Sequence, residues 1–208
     1  MEDVLDLYET PYDPKRPKVC LDESPQQLIA EKKVPLPARP GQVERYDYEY
    51  QRNGTRCAWM FFEPDQGWRH VALTQHRTRV DFAQQLRWLV EVRYPEADLI
   101  RVVRDNLNTH TFGSLYEAFA PAEARRLAQK LEFHYTPKHG SWLNMAELEL
   151  SVFGRMCWDR RLGDDETFCR ETLALEQERN AARATVQWRF TSRDARVKLQ
   201  RLYPSPSA

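Results

Sequence analysis

Glycine is scarce in this 208-residue chain: there are seven, and no two lie closer than nine positions. A P-loop needs two glycines five apart and a dinucleotide fingerprint needs them two and three apart, so both phosphate-cradling loops are excluded. Cysteine is thin as well. Cys20, Cys57, Cys157 and Cys169 show no CxxC spacing, which argues against a zinc ribbon or disulfide framework and for reduced thiols in a cytoplasmic protein. Long apolar runs are missing. The longest, Ala58 to Phe62, falls far short of the roughly 20 residues a membrane helix needs. Met1 is followed by Glu2, Asp3 and Asp6 where a signal peptide would be basic and then apolar, so membrane and secretory readings are set aside. An excess of charge of one sign is also lacking, with 31 Lys and Arg against 31 Asp and Glu, so no global positive field marks a small DNA-binding module.

What is present suits one domain with a sizeable core, at 41% hydrophobic and 30% charged residues. The basic residues are 24 Arg and only 7 Lys; guanidinium favours bidentate phosphate contact, although a GC-rich genome produces the same bias. Between Arg183 and Arg201 six basic residues face one acidic residue, Asp194. A carboxylate-rich centre offset by such a rim has zero net charge and still accepts a polyanion.

Periodicity alternates between strand and helix. Lys18 to Leu21 reads as a short strand ending at Asp22, followed by an extended arm with Pro35, Pro37 and Pro40. Arg56 to Glu63 and Trp68 to Thr74 form a hairpin across Pro64 to Gly67. From Arg79 the spacing becomes helical, then strands follow at Leu99 to Arg104 and Leu131 to Tyr135, separated by a helical segment interrupted near Pro121. Trp142 to Trp158, Glu166 to Ala184 and Asp194 to Leu202 read as helices. This order predicts an α/β fold, a mixed sheet flanked by helices. The crossover from the hairpin to the strand at Leu99 is long enough to set that strand parallel to the first, so Asp22 and Asp105 are expected to end side by side.

An Asp closing a strand is often only a turn former or cap. A pair at one spot differs, because two carboxylates repel unless a cation neutralises them, and hard oxygen ligands select Mg²⁺ or Mn²⁺ over zinc. The segment His139 to Glu147 leads into an apolar helix and offers a third carboxylate.

The strings VCLDES around Asp22, VRDNLNTH around Asp105 and TPKHGSWLNMAELEL around Glu147 resemble the catalytic domain of bacterial insertion-sequence transposases of the mariner superfamily, with its Asp, Asp, Glu triad. The resemblance runs from about Val19 to Pro204. It implies an RNase H-like fold, two divalent metals (Mg²⁺ or Mn²⁺), Asp22, Asp105 and Glu147 as catalytic metal ligands, and DNA strand cleavage and transfer. The expected organisation is a lead-in at 1–17, the catalytic domain at 18–203 and a tail at 204–208. Two features depart from the family: Met145 stands where relatives usually have Pro, and the 41 residues between Asp105 and Glu147 are more than usual, an excess the Pro121 region can absorb.

Glu147 has a structural alternative, since Asn144 and Glu147 match a capping box. Glu149 competes for the metal from about 200° around the helix, so both cannot face one site. Its neighbours Met145, Val152 and Phe153 do not separate it from Glu147, which has Leu143 and Leu150; the preference for Glu147 rests on the resemblance, and replacing Glu149 by Gln is expected to be mild. His139 and Trp142 are candidate DNA contacts, with a structural hydrogen bond and core packing as their alternatives, and His110 is read the same way. In the last helix Ala195, Leu199 and Leu202 are expected to dock on the core, leaving Arg193, Arg196 and Arg201 free for phosphate.

The chemistry implied is in-line attack on a phosphodiester supported by two cations, which needs no protein nucleophile and fits the lack of Ser/His or Cys/His pairing. Two rivals remain: a non-catalytic DNA-binding or regulatory remnant of a transposase, and an RNase H-like nuclease without strand transfer. Expected partners are DNA and a second copy in a homodimer. No helix-turn-helix pattern precedes Asp22, so a reader of element ends is expected from a separate upstream reading frame, or the chain is a truncated copy; by itself it should bind DNA weakly and almost without sequence preference.

Overall fold

Alternation along the strands decides how this chain layers. In the computed structural model, which describes residues 1–106, 110–138 and 140–203, five strands form one sheet: β1 (Lys18–Glu31), β2 (Tyr50–Glu63), β3 (Trp68–Thr74), β4 (Ile100–Arg104) and β5 (Leu131–Tyr135). Their spatial order is β3-β2-β1-β4-β5. β1 is antiparallel to β2 and parallel to β4, and β4 is parallel to β5. Ala58, Met60 and Phe62 of β2 point into one apolar cluster and Cys57, Trp59 and Phe61 into another. A two-residue period buried on both faces therefore accounts for the unbroken run Ala58 to Phe62.

Each face has its own helical cover. Phe82 and Leu86 of α2 (Arg79–Trp88), Leu115 of α3 (Gly113–Ala118) and Leu127 of α4 (Pro121–Ala128) pack on the Trp59 side. Val4 and Leu5 of α1 (Glu2–Glu9), Phe153 of α5 (Met145–Phe153), Phe168 of α6 (Asp165–Ala181) and Ala195 of α7 (Ser192–Lys198) pack on the Met60 side. Large buried side chains of this kind contribute about 1.5–3 kcal/mol each. The mixed α/β sheet flanked by helices that the sequence predicts is present, and β1 and β4 run parallel as expected.

Four details differ from the sequence reading. β1 does not end at Asp22. It continues to Glu31 against β2, which begins at Tyr50, because edge-to-edge pairing satisfies the backbone of a polar, proline-containing segment that has no apolar period to advertise it. Residues 1–17, expected as a lead-in, contain α1, whose Val4, Leu5 and Leu7 are buried. The helix expected over 142–158 is divided: a 3₁₀ turn at Ser141–Leu143, then α5, then a π-helical turn at Gly154–Trp158. The last helix stops at Lys198, followed by a 3₁₀ turn at Gln200–Leu202. Gly67 closes the β2–β3 turn at φ +61°, and a Cβ there would sit 2.4 Å from the Arg183 carbonyl oxygen, so this turn needs glycine for space as well as for dihedral.

Candidate active site

The register of the two central parallel strands sets the site. Cys20 of β1 pairs with Val103 of β4, and Asp22 and Asp105 each lie two residues further along. Cys20 and Val103 both point into the cluster beneath α5, so a two-residue step along β1 returns Asp22 to the α5 side of the sheet, while Asp105 directly follows the end of β4 and adds repulsion to both Asp22 and Glu23. Asn144 brings the helix to them. It caps α5 by accepting from the Ala146 N–H (3.2 Å), while its Nδ2 donates to the Leu21 carbonyl (3.0 Å). The buried Asn144 side chain thus ties the first turn of α5 to β1 beside Asp22, and Glu147 lies in that turn. Glu147 does not reach back to close the capping box that its spacing suggested; Asn144 alone supplies the side-chain cap.

Asp22 reports the electrostatics of this corner. Burial pushes its carboxyl up to about 7; repulsion from Glu23, Asp105 and Glu147 adds to this, and the Glu23 N–H donated to Oδ1 opposes it. Among the described residues no basic side chain forms an ion pair with Asp22 or Glu147, and no group of three or more His, Cys, Asp or Glu side chains is gathered as a formed metal centre.

Glu23 is a participant that the sequence did not single out. Odd-numbered residues of β1 face α2, so Glu23 is buried on the opposite side from Asp22, with Arg77 at 3.3 Å and His110 Nδ1 at 3.6 Å. Burial, then repulsion from Asp105, raises it to about 7, with Arg77 and Arg104 opposing. His110 stacks on Phe82 at 4.5 Å; burial, then Arg104 and Arg77, lowers it to about 4, so its imidazole is neutral at pH 7. The one available signal was adjacency to Asp22 in VCLDES. Its partners come from sequence positions 54 and 87 residues away, beyond any local pattern.

Glu149 is engaged elsewhere. It is 1% exposed, receives two hydrogen bonds from Arg179 (3.0 and 2.7 Å) and lies 2.9 Å from Arg69 Nε. Two guanidiniums hold it on the α6 side of α5, so this carboxylate neutralises buried charge, and Glu149→Gln bears on stability rather than on the metal site. His70 faces Glu176 at 3.1 Å and His134 faces Asp3 at 2.9 Å.

The remaining candidates separate. Trp142 is 41% exposed and stacks at 6.1 Å on Trp188. Arg193 and Arg201 are exposed with no ion pair among the described residues. Arg196, expected to be free, is not: it donates two hydrogen bonds to Glu2 on α1 (2.8 and 2.7 Å), a helix the sequence reading did not include. Ala195 is buried and Leu199 packs on the core as expected, whereas Leu202 is 66% exposed because the helix ends before it. His139 lies outside the described residues.

Residues 17–169 match the family model described as DDE superfamily endonuclease. The chain belongs to this family. The DDE endonuclease match takes in β1 through the first turn of α6, hence Asp22, Asp105 and Glu147 together. No curated protein matches the chain. Two solved structures are similar to this DDE endonuclease domain: the Mos1 mariner paired end complex with Mn (16% identity, TM-score 0.49) and a pre-cleavage Mos1 transpososome (17% identity, TM-score 0.46). Each covers 89% of this chain, which spans 60% of the length of either of those chains. No helix among the described residues is long and apolar enough to cross a membrane.

Proposed function

We propose that this chain is the catalytic domain of a DNA transposase, with residues 18–203 as the catalytic unit and Asp22, Asp105 and Glu147 as its metal ligands. The observation that supports the reading is the charge environment of Asp22: this carboxylate sits in a cluster of like charge, where Glu23, Asp105 and Glu147 add repulsion to burial, no basic side chain among the described residues pairs with it, and it is raised to about 7. Such a cluster is strained by its own charge, and its all-oxygen donors suit a hard divalent cation, Mg²⁺ or Mn²⁺. When bound, two such ions would activate the attacking oxygen and stabilise the leaving oxygen of a phosphodiester.

The chain's own residues supply placement. Asp22 is held within β1 and Asp105 directly follows the neighbouring strand β4, and regular elements hold position better than loops do. Asn144 fixes α5 against β1, so Glu147 is presented at a set height above Asp22. Glu23, tied to Arg77 and His110, fills the sheet beneath and contributes negative potential without facing the α5 side. Arg193, Arg201 and Trp142 are the proposed DNA contacts, two by phosphate and one by stacking; His139 is proposed with them from the motif alone. DNA is the proposed macromolecular partner, with a second copy of the chain and a separately encoded or upstream helix-turn-helix reader as further proposed partners, and the cytoplasm as the compartment.

A strand-transfer assay with 3′-labelled duplex tests the reading. Divalent-metal-dependent nicking followed by joining of the labelled 3′ end to target DNA is the expected result. Nicking without joining would favour a nuclease on the same fold, and neither activity in a folded, DNA-binding chain would favour a remnant.

A further inference from the structure

Arg104 is the last residue of β4, a strand buried on both faces, and is itself 2% exposed. A charge in such a place is costly unless something specific holds it. Its neighbours Phe82, Phe133 and Tyr135 set their rings 4.9, 5.3 and 5.4 Å from the guanidinium carbon, a lining that an aliphatic side chain would fill without any desolvation cost. The guanidinium instead makes two tethers. Nε donates to the Asp105 carbonyl at 2.9 Å, and Nη1 donates to the His110 carbonyl. Both ends of the connection leaving β4 are therefore fastened to one rigid fork. Nη2 has no hydrogen-bond partner and lies 3.7 Å from Asp105 Oδ1.

Arg101, the other arginine of β4, is the internal comparison. It is spent on the Arg16 carbonyl and Thr10 Oγ1, at the opposite end of the strand. Arg104 alone addresses Asp105.

We infer that Arg104 is a positioning residue for the metal site: by clamping the Asp105 and His110 carbonyls it fixes the backbone from which the Asp105 carboxylate is presented to a divalent cation. This rests on the proposed metal role of Asp22, Asp105 and Glu147. The fork matters more than the charge, since a bare cation behind the ligand opposes a second cation in front of it, whereas an ordered ligand gains affinity.

The test measures Mn²⁺ binding to the full chain without DNA, by the loss of the free-ion paramagnetic signal, with circular dichroism and thermal melting to establish folding. Wild type should bind, and D105N should not. R104M, which keeps the length and suits the aromatic lining, should bind Mn²⁺ about tenfold more weakly while folded, and R104K should recover part of the loss. A folded R104M that binds as tightly as wild type, or more tightly, overturns the inference, because a purely structural or purely electrostatic arginine behaves that way. If R104M does not fold, R104K decides: affinity reduced by about threefold sustains the clamp, and wild-type affinity refutes it. A wild-type chain that does not bind Mn²⁺, or a D105N chain that binds equally well, overturns the metal reading and this inference with it, whereas failure at Arg104 alone leaves that reading standing.

Discussion

Glu147 and Glu149 lie two residues apart on α5 and meet opposite surroundings. Glu149 turns toward α6 and is neutralised by Arg69 and Arg179. Glu147 lies in the first turn of α5, which Asn144 ties to β1, and with Glu23 and Asp105 it adds like charge at Asp22. In the first arrangement one buried carboxylate is shared by two guanidiniums. The second is left open, and an open cluster of carboxylates costs stability unless a cation completes it. A carboxylate's place in the motif does not tell these cases apart; its neighbours from distant segments do.

The largest effect expected from this contrast is catalytic. Replacing Asp105 by Asn, or Glu147 by Gln, should reduce metal-dependent strand cleavage by about a hundredfold or more, since even residues behind a ligand cost 10–100-fold, while melting temperature changes little. Retained cleavage in a folded E147Q protein would place the third ligand elsewhere. E149Q should do the reverse: a loss of about 3 kcal/mol in urea unfolding, because two guanidiniums lose their counter-charge, with cleavage per folded molecule near wild type. A stable E149Q protein would erase the distinction between the two faces of the helix.

Next in size is the pH dependence of the metal-free chain. The folded-state value of Asp22, about 7, lies above its ordinary 3.8, so the native state holds this proton more tightly than the unfolded state. Its effect is absent below about pH 4, and stability falls as pH rises toward 7, by an amount on the order of 2–4 kcal/mol. D22N should therefore stabilise the chelator-treated protein at pH 8 and not at pH 4, read from urea midpoints at both values. Equal effects at both would show that Asp22 is not charge-strained.

The smallest effect concerns the C-terminal arginines. Neutralising Arg193 and Arg201 together should lower the slope of log K against log salt for DNA binding by up to about two. Arg196→Gln should leave the slope nearly unchanged, because that side chain is already engaged by Glu2. A slope change from Arg196 as large as from the other two would mean that the ion pair opens on DNA.

Hairpin, parallel crossover and helical cover were legible because each leaves a local trace: the Pro64 to Gly67 turn, the two-residue alternation of β2, the helical spacing after Arg79. The motif strings likewise marked Asp22, Asp105 and Glu147 as residues to watch. The far half of β1 was not legible, since its stability comes from β2 rather than from its own composition, and α1 was missed because eight residues with three buried side chains make too short a period to read.

By itself, then, the sequence determined the alternation that separates the two cores, the order of the elements and the family motifs. Only the tertiary structure decided that β1 runs on past Asp22, that Glu23 is buried behind it, that Arg196 is occupied, and that Glu149 belongs to Arg69 and Arg179. The physical reason is range. Period and turn chemistry act over a few residues of one segment, whereas the charge state of a buried carboxylate depends on groups contributed by segments far apart in the chain, which meet only once the sheet and its helices have packed.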